Sequence, residues 1–126
     1  MTKVNEVYKC EICGNTVEMV LSGIGQMICC GKPMTLMSEK EMSETGTEKH
    51  KPVVTVQQGT KVEVGSIPHP MEDSHYIQWI EILDESGKVI RQFLKPGELP
   101  QANFLEEKIK IARAYCNIHG LWVSKA

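Results

Sequence analysis

Short runs of alternating apolar and polar residues follow one another from about residue 52 to the end of the chain. They predict β-strands at residues 53–57, 60–65, 76–84, 88–94, 109–116 and 121–124. Turn signals separate these runs, such as Gln58-Gly59 and Lys95-Pro96-Gly97-Glu98. This spacing of short strands favours an all-β sandwich.

The first 37 residues are organised differently, because cysteines crowd there and the apolar runs are short. We predict a strand at residues 16–21 and a turn at residues 22–25. A unit this small seldom folds without a metal or a partner. The polar stretch that follows lacks periodicity, so we divide the chain into a metal-binding domain at residues 1–37, a linker at residues 38–50 and a sandwich at residues 51–126.

Composition and charge exclude several classes of protein and of binding partner. The 126 residues include 41% hydrophobic and 24% charged residues, which is typical of a globular protein. The net charge of -2 argues against nucleic acid or an anionic membrane as the main partner. The longest apolar run, Met27 to Cys30, is far too short for a membrane span. Because the first residues lack the apolar core of a signal peptide, we expect a cytoplasmic protein.

Five cysteines without a secretion signal indicate metal binding rather than a disulfide framework. Cys10 and Cys13 form a knuckle whose two-residue gap turns both sulfurs inward. Cys29 and Cys30 are adjacent, so both reach one metal only if the backbone folds sharply, and Gly31 would help. Four thiolates imply a tetrahedral site for zinc or iron, and spacing alone does not choose between them. A redox dithiol in the first pair is the other alternative.

The remaining candidate ligands are four histidines and one cysteine: His50, His69, His75, Cys116 and His119. Consecutive antiparallel strands alternate in direction, so their loops alternate between the two poles of a sandwich. The first three histidines should therefore meet at one pole. The turn from Cys116 to His119 joins them only if one more strand precedes it, and residues 101–106 could supply that strand. Any one of these histidines alone would be uninformative, and spacing leaves the joint site a hypothesis.

Taken together, these motifs resemble desulfoferrodoxin, the two-iron superoxide reductase. The matching segments are Cys10-x-x-Cys13, Cys29-Cys30, Glu48-Lys49-His50, His69-Pro70-Met71-Glu72, His75-Tyr76-Ile77-Gln78-Trp79-Ile80 and Cys116-Asn117-Ile118-His119-Gly120. The resemblance covers nearly the whole chain. It implies a small desulforedoxin-like domain followed by an immunoglobulin-like, seven-stranded β-sandwich, and a homodimer.

The resemblance also implies the ligand sets and the activity. The four cysteines of the first quarter would hold one iron, the four histidines would surround a second iron, and Cys116 would be its axial ligand. The implied activity is the one-electron reduction of superoxide to hydrogen peroxide at a ferrous site with an open position, re-reduced by an external donor such as rubredoxin. Lys49 would attract superoxide and order a proton-donating water, and Glu48 would bind the ferric iron. Whether a structural calcium ion also binds is left open.

Local chemistry adds one expectation and leaves alternatives open. The tight turn should place the N–H groups of Ile118 and His119 against the sulfur of Cys116. A non-enzymatic carrier with two irons differs from an enzyme because its second iron should not bind azide or cyanide. A zinc-stabilised interaction module would be colourless, and a superoxide dismutase would release oxygen without consuming reductant.

Overall fold

The computed structural model describes residues 1–40 and 47–125. The chain divides into two compact units, Met1–Ser38 and Glu39–Ala126. Among the described residues, no helix has the length and apolar character that crossing a membrane requires.

The first unit consists of very short antiparallel strands. These are β1 (Val7–Lys9), β2 (Thr16–Glu18), β3 (Ile28–Cys29), β4 (Lys32–Pro33) and β5 (Thr35–Leu36). β1 lies between β2 and β5, and β3 pairs with β4 as a hairpin. The predicted strand at residues 16–21 is therefore present but ends at Glu18. Val7 and Cys10 are the buried hydrophobic residues of this unit, so its apolar core is too small to stabilise it without a metal.

Among the described residues, the second unit contains one helical turn and seven strands. These are α1 (Thr47–His50), β6 (Pro52–Val56), β7 (Thr60–Val64), β8 (Ile77–Leu83), β9 (Val89–Phe93), β10 (Gln101–Phe104), β11 (Ile111–Cys116) and β12 (Gly120–Lys125). They form a three-stranded sheet of order β10-β7-β6 and a four-stranded sheet of order β12-β11-β8-β9. The all-β prediction is confirmed, and β10 is the additional strand that the positions of the histidines required.

A continuous apolar core lies between the two sheets. Val62 of the smaller sheet packs in the same cluster as Ile80, Ile82, Ala112 and Ala114 of the larger one, and each of these side chains is at most 2% exposed. Alternate residues along β8 and β11 face this core, as the period of a strand requires. Cys116 belongs to the same cluster, so the core holds the end of β11 rigidly.

The other face of the four-stranded sheet carries a buried ionic network. Glu81, which is fully buried, accepts two hydrogen bonds from Arg91, of 2.9 and 2.6 Å, and two from Arg113, of 3.0 and 2.7 Å. Arg113 also donates to Glu39 at 3.2 Å. Because Glu81 and Arg113 are direct partners across β8 and β11, the network fixes the register of these strands up to a bulge between Tyr115 and Cys116.

Candidate metal centres

The four cysteines of the first unit converge at one point. Their sulfur atoms all lie within 4.8 Å of one another. A tetrahedral site with metal–sulfur bonds of about 2.3 Å has sulfur–sulfur edges of about 3.8 Å. The Sγ atoms of Cys13 and Cys29 are 3.6 Å apart, and those of Cys29 and Cys30 are 4.0 Å apart. The set therefore has the dimensions of a four-thiolate site.

The adjacent cysteines reach the same point because a tight turn separates them. Cys29 is the last residue of β3, and its partner across the hairpin is Lys32. The two residues between them, Cys30 and Gly31, have φ values of 54° and 75°. Two consecutive positive φ angles are the signature of a type I′ turn, which reverses the chain within two residues. The sharp fold that the vicinal pair demanded is thus a hairpin turn with Cys30 in its first position.

The charge state of these thiols requires a cation. The amide N–H of Cys13 lies 3.5 Å from the sulfur of Cys10 and lowers the pKa of that thiol to about 6. The neighbouring sulfurs, first that of Cys13, raise the pKa of Cys30 to about 12 and also raise the pKa of Cys29. Four thiolates this close do not coexist at neutral pH unless a metal ion lies among them.

In the second unit, loops and strand ends at one pole bring five further side chains together. His50 ends α1, His69 and His75 lie between β7 and β8, Cys116 ends β11 and His119 precedes β12. One ligand atom from each of these residues lies within 4.8 Å of all the others. The structure thus brings together all five residues that the sequence pattern had placed at this pole.

The four imidazole rings form a square. Neighbouring ring centroids are 4.5 Å apart for His50 and His69, 4.7 Å for His69 and His75, 5.0 Å for His75 and His119, and 4.6 Å for His119 and His50. Each neighbouring pair meets edge to face. The centroids of His50 and His75 are 6.4 Å apart, which fits the diagonal of such a square. Four imidazoles in this arrangement could each supply one nitrogen to a single metal ion.

Hydrogen bonding and burial indicate which nitrogen His69 and His75 offer. Nδ1 of His69 lies 2.7 Å from the carbonyl oxygen of Pro70, so Nδ1 carries the proton and Nε2 keeps its lone pair. Nε2 of His69 and Nε2 of His75 are both buried without a hydrogen-bond partner. Buried polar atoms without a partner are costly unless a ligand satisfies them. Burial also lowers the pKa of His69 to about 4, which keeps this ring neutral, as metal binding requires.

Cys116 supplies the single sulfur of this cluster. Its side chain is fully buried, and its Sγ atom accepts a hydrogen bond of 3.4 Å from the N–H of His119. Burial raises the pKa of the Cys116 thiol, whereas the N–H groups of His119 and Ile118 oppose that shift. The expectation that the turn directs N–H groups at the sulfur is therefore confirmed. These contacts withdraw electron density from the sulfur and tune its strength as a donor.

Both donor sets fit non-haem iron, and the comparisons with known proteins agree. Residues 42–125 match the family model described as desulfoferrodoxin, and residues 2–37 match the model of the desulfoferrodoxin N-terminal domain. The chain belongs to the desulfoferrodoxin family. It is 55% identical to a desulfoferrodoxin homolog of Archaeoglobus fulgidus, over 98% of this chain and 99% of that protein. It is 54% identical to a desulfoferrodoxin of Desulfarculus baarsii, over 93% of each chain.

A solved structure agrees with the fold of this desulfoferrodoxin family member. The crystal structure of the superoxide reductase from Treponema pallidum superposes with a TM-score of 0.76 at 26% identity, over 95% of this chain and 96% of that one. The likeness extends over both units of the present chain.

Of the two residues predicted to act beside the ligands, the structure describes the side chain of Lys49 only. Lys49 is exposed and directly precedes His50 at the end of α1. The side chain of Glu48 lies outside the described part of the chain. The structure thus shows that Lys49 is accessible to solvent next to a candidate ligand.

The sequence analysis missed a residue that joins two of the ligand-bearing segments. The side-chain oxygen of Asn117 accepts a hydrogen bond of 2.9 Å from the N–H of Tyr76, and its amide nitrogen donates to the carbonyl of Ser74 at 3.1 Å. Its own N–H bonds the carbonyl of Tyr76 at 3.2 Å. Asn117 therefore holds the segment around His75 against the turn from Cys116 to His119. An asparagine is common in turns, so its sequence context alone does not reveal this role.

Proposed function

We propose that this protein is a superoxide reductase, which converts one superoxide, one electron and two protons into one hydrogen peroxide. The observation that carries the proposal is the square of four imidazoles with a single buried sulfur, all five ligand atoms lying within 4.8 Å. Several members and neighbours of the family bear the name superoxide reductase, including those of Treponema pallidum and Pyrococcus horikoshii.

We assign the catalytic iron to five ligands: His50, His69, His75, Cys116 and His119. Five protein donors leave an iron one further coordination position for a small anion. When bound there, iron supplies the one-electron redox couple that superoxide reduction needs. Burial lowers the pKa values of His69 and His119 and so keeps these two rings neutral, and neutral imidazole ligands favour the ferrous state. The first iron is assigned to the four cysteines of the first unit: Cys10, Cys13, Cys29 and Cys30.

Lys49 is the residue we assign to substrate attraction. Its side chain is exposed beside His50, and the protein as a whole carries a charge of -2, so a local cation is needed to draw an anion to this pole. The same ammonium can order a water molecule that delivers a proton. Glu48 is assigned as a carboxylate ligand of the oxidised centre, because hard carboxylates prefer ferric to ferrous iron. Glu48→Ala should change the ferric absorption and leave most turnover intact; an unaltered ferric spectrum contradicts this role.

Reductant must reach the centre from outside, since each turnover consumes one electron. We propose a small one-electron carrier such as a rubredoxin as the donor. The edge of the cluster is open to such a carrier, because His119 is exposed and Ile118 is 59% exposed beside it. Anaerobic stopped-flow mixing with reduced rubredoxin tests the donor; no oxidation of the rubredoxin by the ferric protein rejects it.

We further propose that two copies of the chain associate. The first unit exposes large apolar side chains at the turn after β2, with Val20, Leu21 and Ile24 between 75% and 90% exposed. Apolar side chains clustered on so small a unit favour contact with a partner of the same kind. Sedimentation of the iron-loaded protein tests this, and a monomer at micromolar concentration contradicts it.

Two further assignments complete the proposal. A cytoplasmic location fits five free cysteines, since thiols persist in a reducing compartment. We also propose a metal-binding domain at residues 1–37, a linker at 38–50 and a catalytic domain at 51–126. Separate expression of residues 38–126 tests that division: the fragment should fold, bind one iron and reduce superoxide.

The central experiment is a titration of anaerobically prepared, iron-loaded protein with superoxide. We expect two irons per chain, a thiolate-to-iron charge-transfer band on oxidation, and one hydrogen peroxide per superoxide consumed. Oxygen release without use of reductant identifies a dismutase instead, and failure to bind azide identifies an electron carrier. Cys116→Ser should abolish the charge-transfer band; its survival shows that another residue is the sulfur ligand.

A further inference from the structure

Lys40 is fixed at the edge of the four-stranded sheet rather than lying free in a linker. Its N–H donates to the carbonyl of Leu121 at 3.0 Å, and its carbonyl accepts from the N–H of Val123 at 3.0 Å. These bonds form an isolated parallel bridge between Lys40 and Trp122 of β12. Paired residues of neighbouring strands project on the same face of a sheet, so the two side chains lie side by side.

The preceding residue secures this arrangement from the other face of the sheet. The carboxylate of Glu39 accepts a hydrogen bond of 3.2 Å from Arg113, which is bound to the buried Glu81. Consecutive residues of an extended segment point to opposite faces. Glu39 therefore binds to one face of the sheet at its edge, and the side chain of Lys40 lies on the other face.

The side chain of Lys40 is connected to two of the candidate iron ligands, directly to one and through an aromatic ring to the other. Its Nζ atom donates to the carbonyl oxygen of His119 at 2.9 Å. The same atom lies 5.5 Å from the ring centroid of Trp122, within the range of a cation–π contact. The indole in turn stacks on the imidazole of His50, with centroids 4.7 Å apart and planes 18° apart. One ammonium is thus connected to His119 through a carbonyl and to His50 through an aromatic stack.

We propose that Lys40 is a positioning residue that holds a fixed positive charge against the His50 and His119 side of the catalytic centre and raises the reduction potential of its iron. This inference rests on the proposed function. A nearby cation favours the metal state with the lower positive charge, which is the ferrous state. The ferrous state is the one able to donate an electron to superoxide.

The indole of Trp122 makes the charge effective. Trp122 is 1% exposed, so the ring that both the ammonium and the imidazole of His50 contact is shielded from water. A charge acts more strongly on its neighbours where water is excluded and the dielectric constant is low.

The test compares the full-length, iron-loaded protein with three variants. Lys40→Met removes the charge and keeps the length of the side chain, and Lys40→Arg keeps the charge and the cation–π contact. Lys61→Met is the matched control, because Lys61 is a lysine of similar exposure that pairs with Glu63 on the other sheet. The potential is measured by redox titration of the charge-transfer band of the Cys116 site, with circular dichroism as the check of folding.

At a fixed ambient potential, we expect the ferrous-to-ferric ratio of Lys40→Met to fall about five- to tenfold, the effect of one partly screened charge within about 10 Å. Lys40→Arg should restore the ratio, and Lys61→Met should leave it within about twofold of the unmodified protein, as expected for a screened charge. A normal band with an unchanged ratio in Lys40→Met overturns the role of Lys40 and leaves the proposed function intact. Absence of the band from the unmodified protein overturns the proposed function itself.

A second variant distinguishes the loss of the charge from a folding defect. Lys40→Gln retains a hydrogen-bond donor for the carbonyl of His119 while losing the charge. If Lys40→Met does not fold, a lowered ratio in Lys40→Gln supports the proposal. A ratio in Lys40→Gln equal to that of the unmodified protein contradicts it, since the hydrogen bond alone would then suffice.

Discussion

Replacing Asn117 by alanine tests whether the catalytic centre depends on a residue that binds no metal. The side chain of Asn117 makes two hydrogen bonds to the segment around His75, one accepted from Tyr76 and one donated to Ser74. The substitution removes both and leaves the backbone bond from Asn117 to Tyr76 in place. We expect the two ligand-bearing segments to remain folded but to lose their fixed spacing.

The magnitude follows from the two bonds that are lost. A net contribution of about 1 kcal/mol per hydrogen bond gives about 2 kcal/mol for the pair. Ser74 is exposed and Tyr76 is half-buried, so water can replace the lost partners and no additional desolvation cost arises. If the two hydrogen bonds stabilise only the metal-bound form, in which the segments must be held together, their removal should decrease iron affinity roughly thirtyfold. Partners of metal ligands typically contribute about 10- to 100-fold in affinity, which brackets this value.

The assay is competition for Fe²⁺ with a chromophoric chelator under anaerobic conditions, followed by the absorbance of the chelator–iron complex. Asn103→Ala serves as the control, because Asn103 is an exposed asparagine on β10. Asn117→Asp keeps the acceptor for Tyr76 but loses the donor to Ser74, so an intermediate affinity is expected. An affinity of Asn117→Ala within about twofold of the unmodified protein would refute the reasoning, because two bonds of ordinary strength cannot vanish without effect.

Three further predictions concern other parts of the second unit. Lys49→Ala should slow the reaction with superoxide and flatten its dependence on ionic strength; stopped-flow rates that keep the original salt slope contradict the role in attraction. Glu81→Gln should destabilise the protein by about 3–5 kcal/mol in urea unfolding, because two arginines lose a buried counter-charge. Glu106→Gln, which breaks the exposed pair with Lys88, should have a much smaller effect. Equal losses would show that burial does not govern these pairs. Since burial lowers the pKa of His69 to about 4, the metal-free protein should lose up to about 3 kcal/mol as the pH falls from about 6.5 towards 4, and replacement of His69 by glutamine should flatten that loss.

The fold of the second unit could be predicted because its strands are regular. Alternation of apolar and polar residues is a property of the sequence itself, and six of the seven strands follow from it directly. The seventh, β10, has only four residues and was required by the placement of the turn from Cys116 to His119 rather than by its own pattern. The direction of antiparallel strands thus supports one pole for all five candidate ligands as a hypothesis, and the distances between the ligand atoms confirm it.

Interactions between side chains distant in sequence could not be predicted. Glu39 and Lys40 have the composition of a solvated linker, and only the tertiary fold shows that their side chains contact Arg113 and Trp122. Glu81 likewise occupies an alternating position in β8, where a polar residue is expected to face solvent. Its burial with two arginines depends on the pairing of β8 with β11 and β9. Patterns along a strand specify which face a residue occupies, but not what covers that face.

The position of Cys116 shows why this fold suits a thiolate ligand. The residue belongs to the apolar core, so burial raises the pKa of its thiol. Without a bound cation the thiol would therefore be protonated. The bulge at Tyr115 and Cys116 and the N–H of His119 then direct the sulfur to the pole where the imidazoles meet. A core position gives the sulfur rigidity, and the turn gives it a hydrogen bond that a strand interior would not supply. Burial makes the thiolate unfavourable in the metal-free protein, so binding a cation there must release a proton, and iron uptake at this site should become tighter as pH rises.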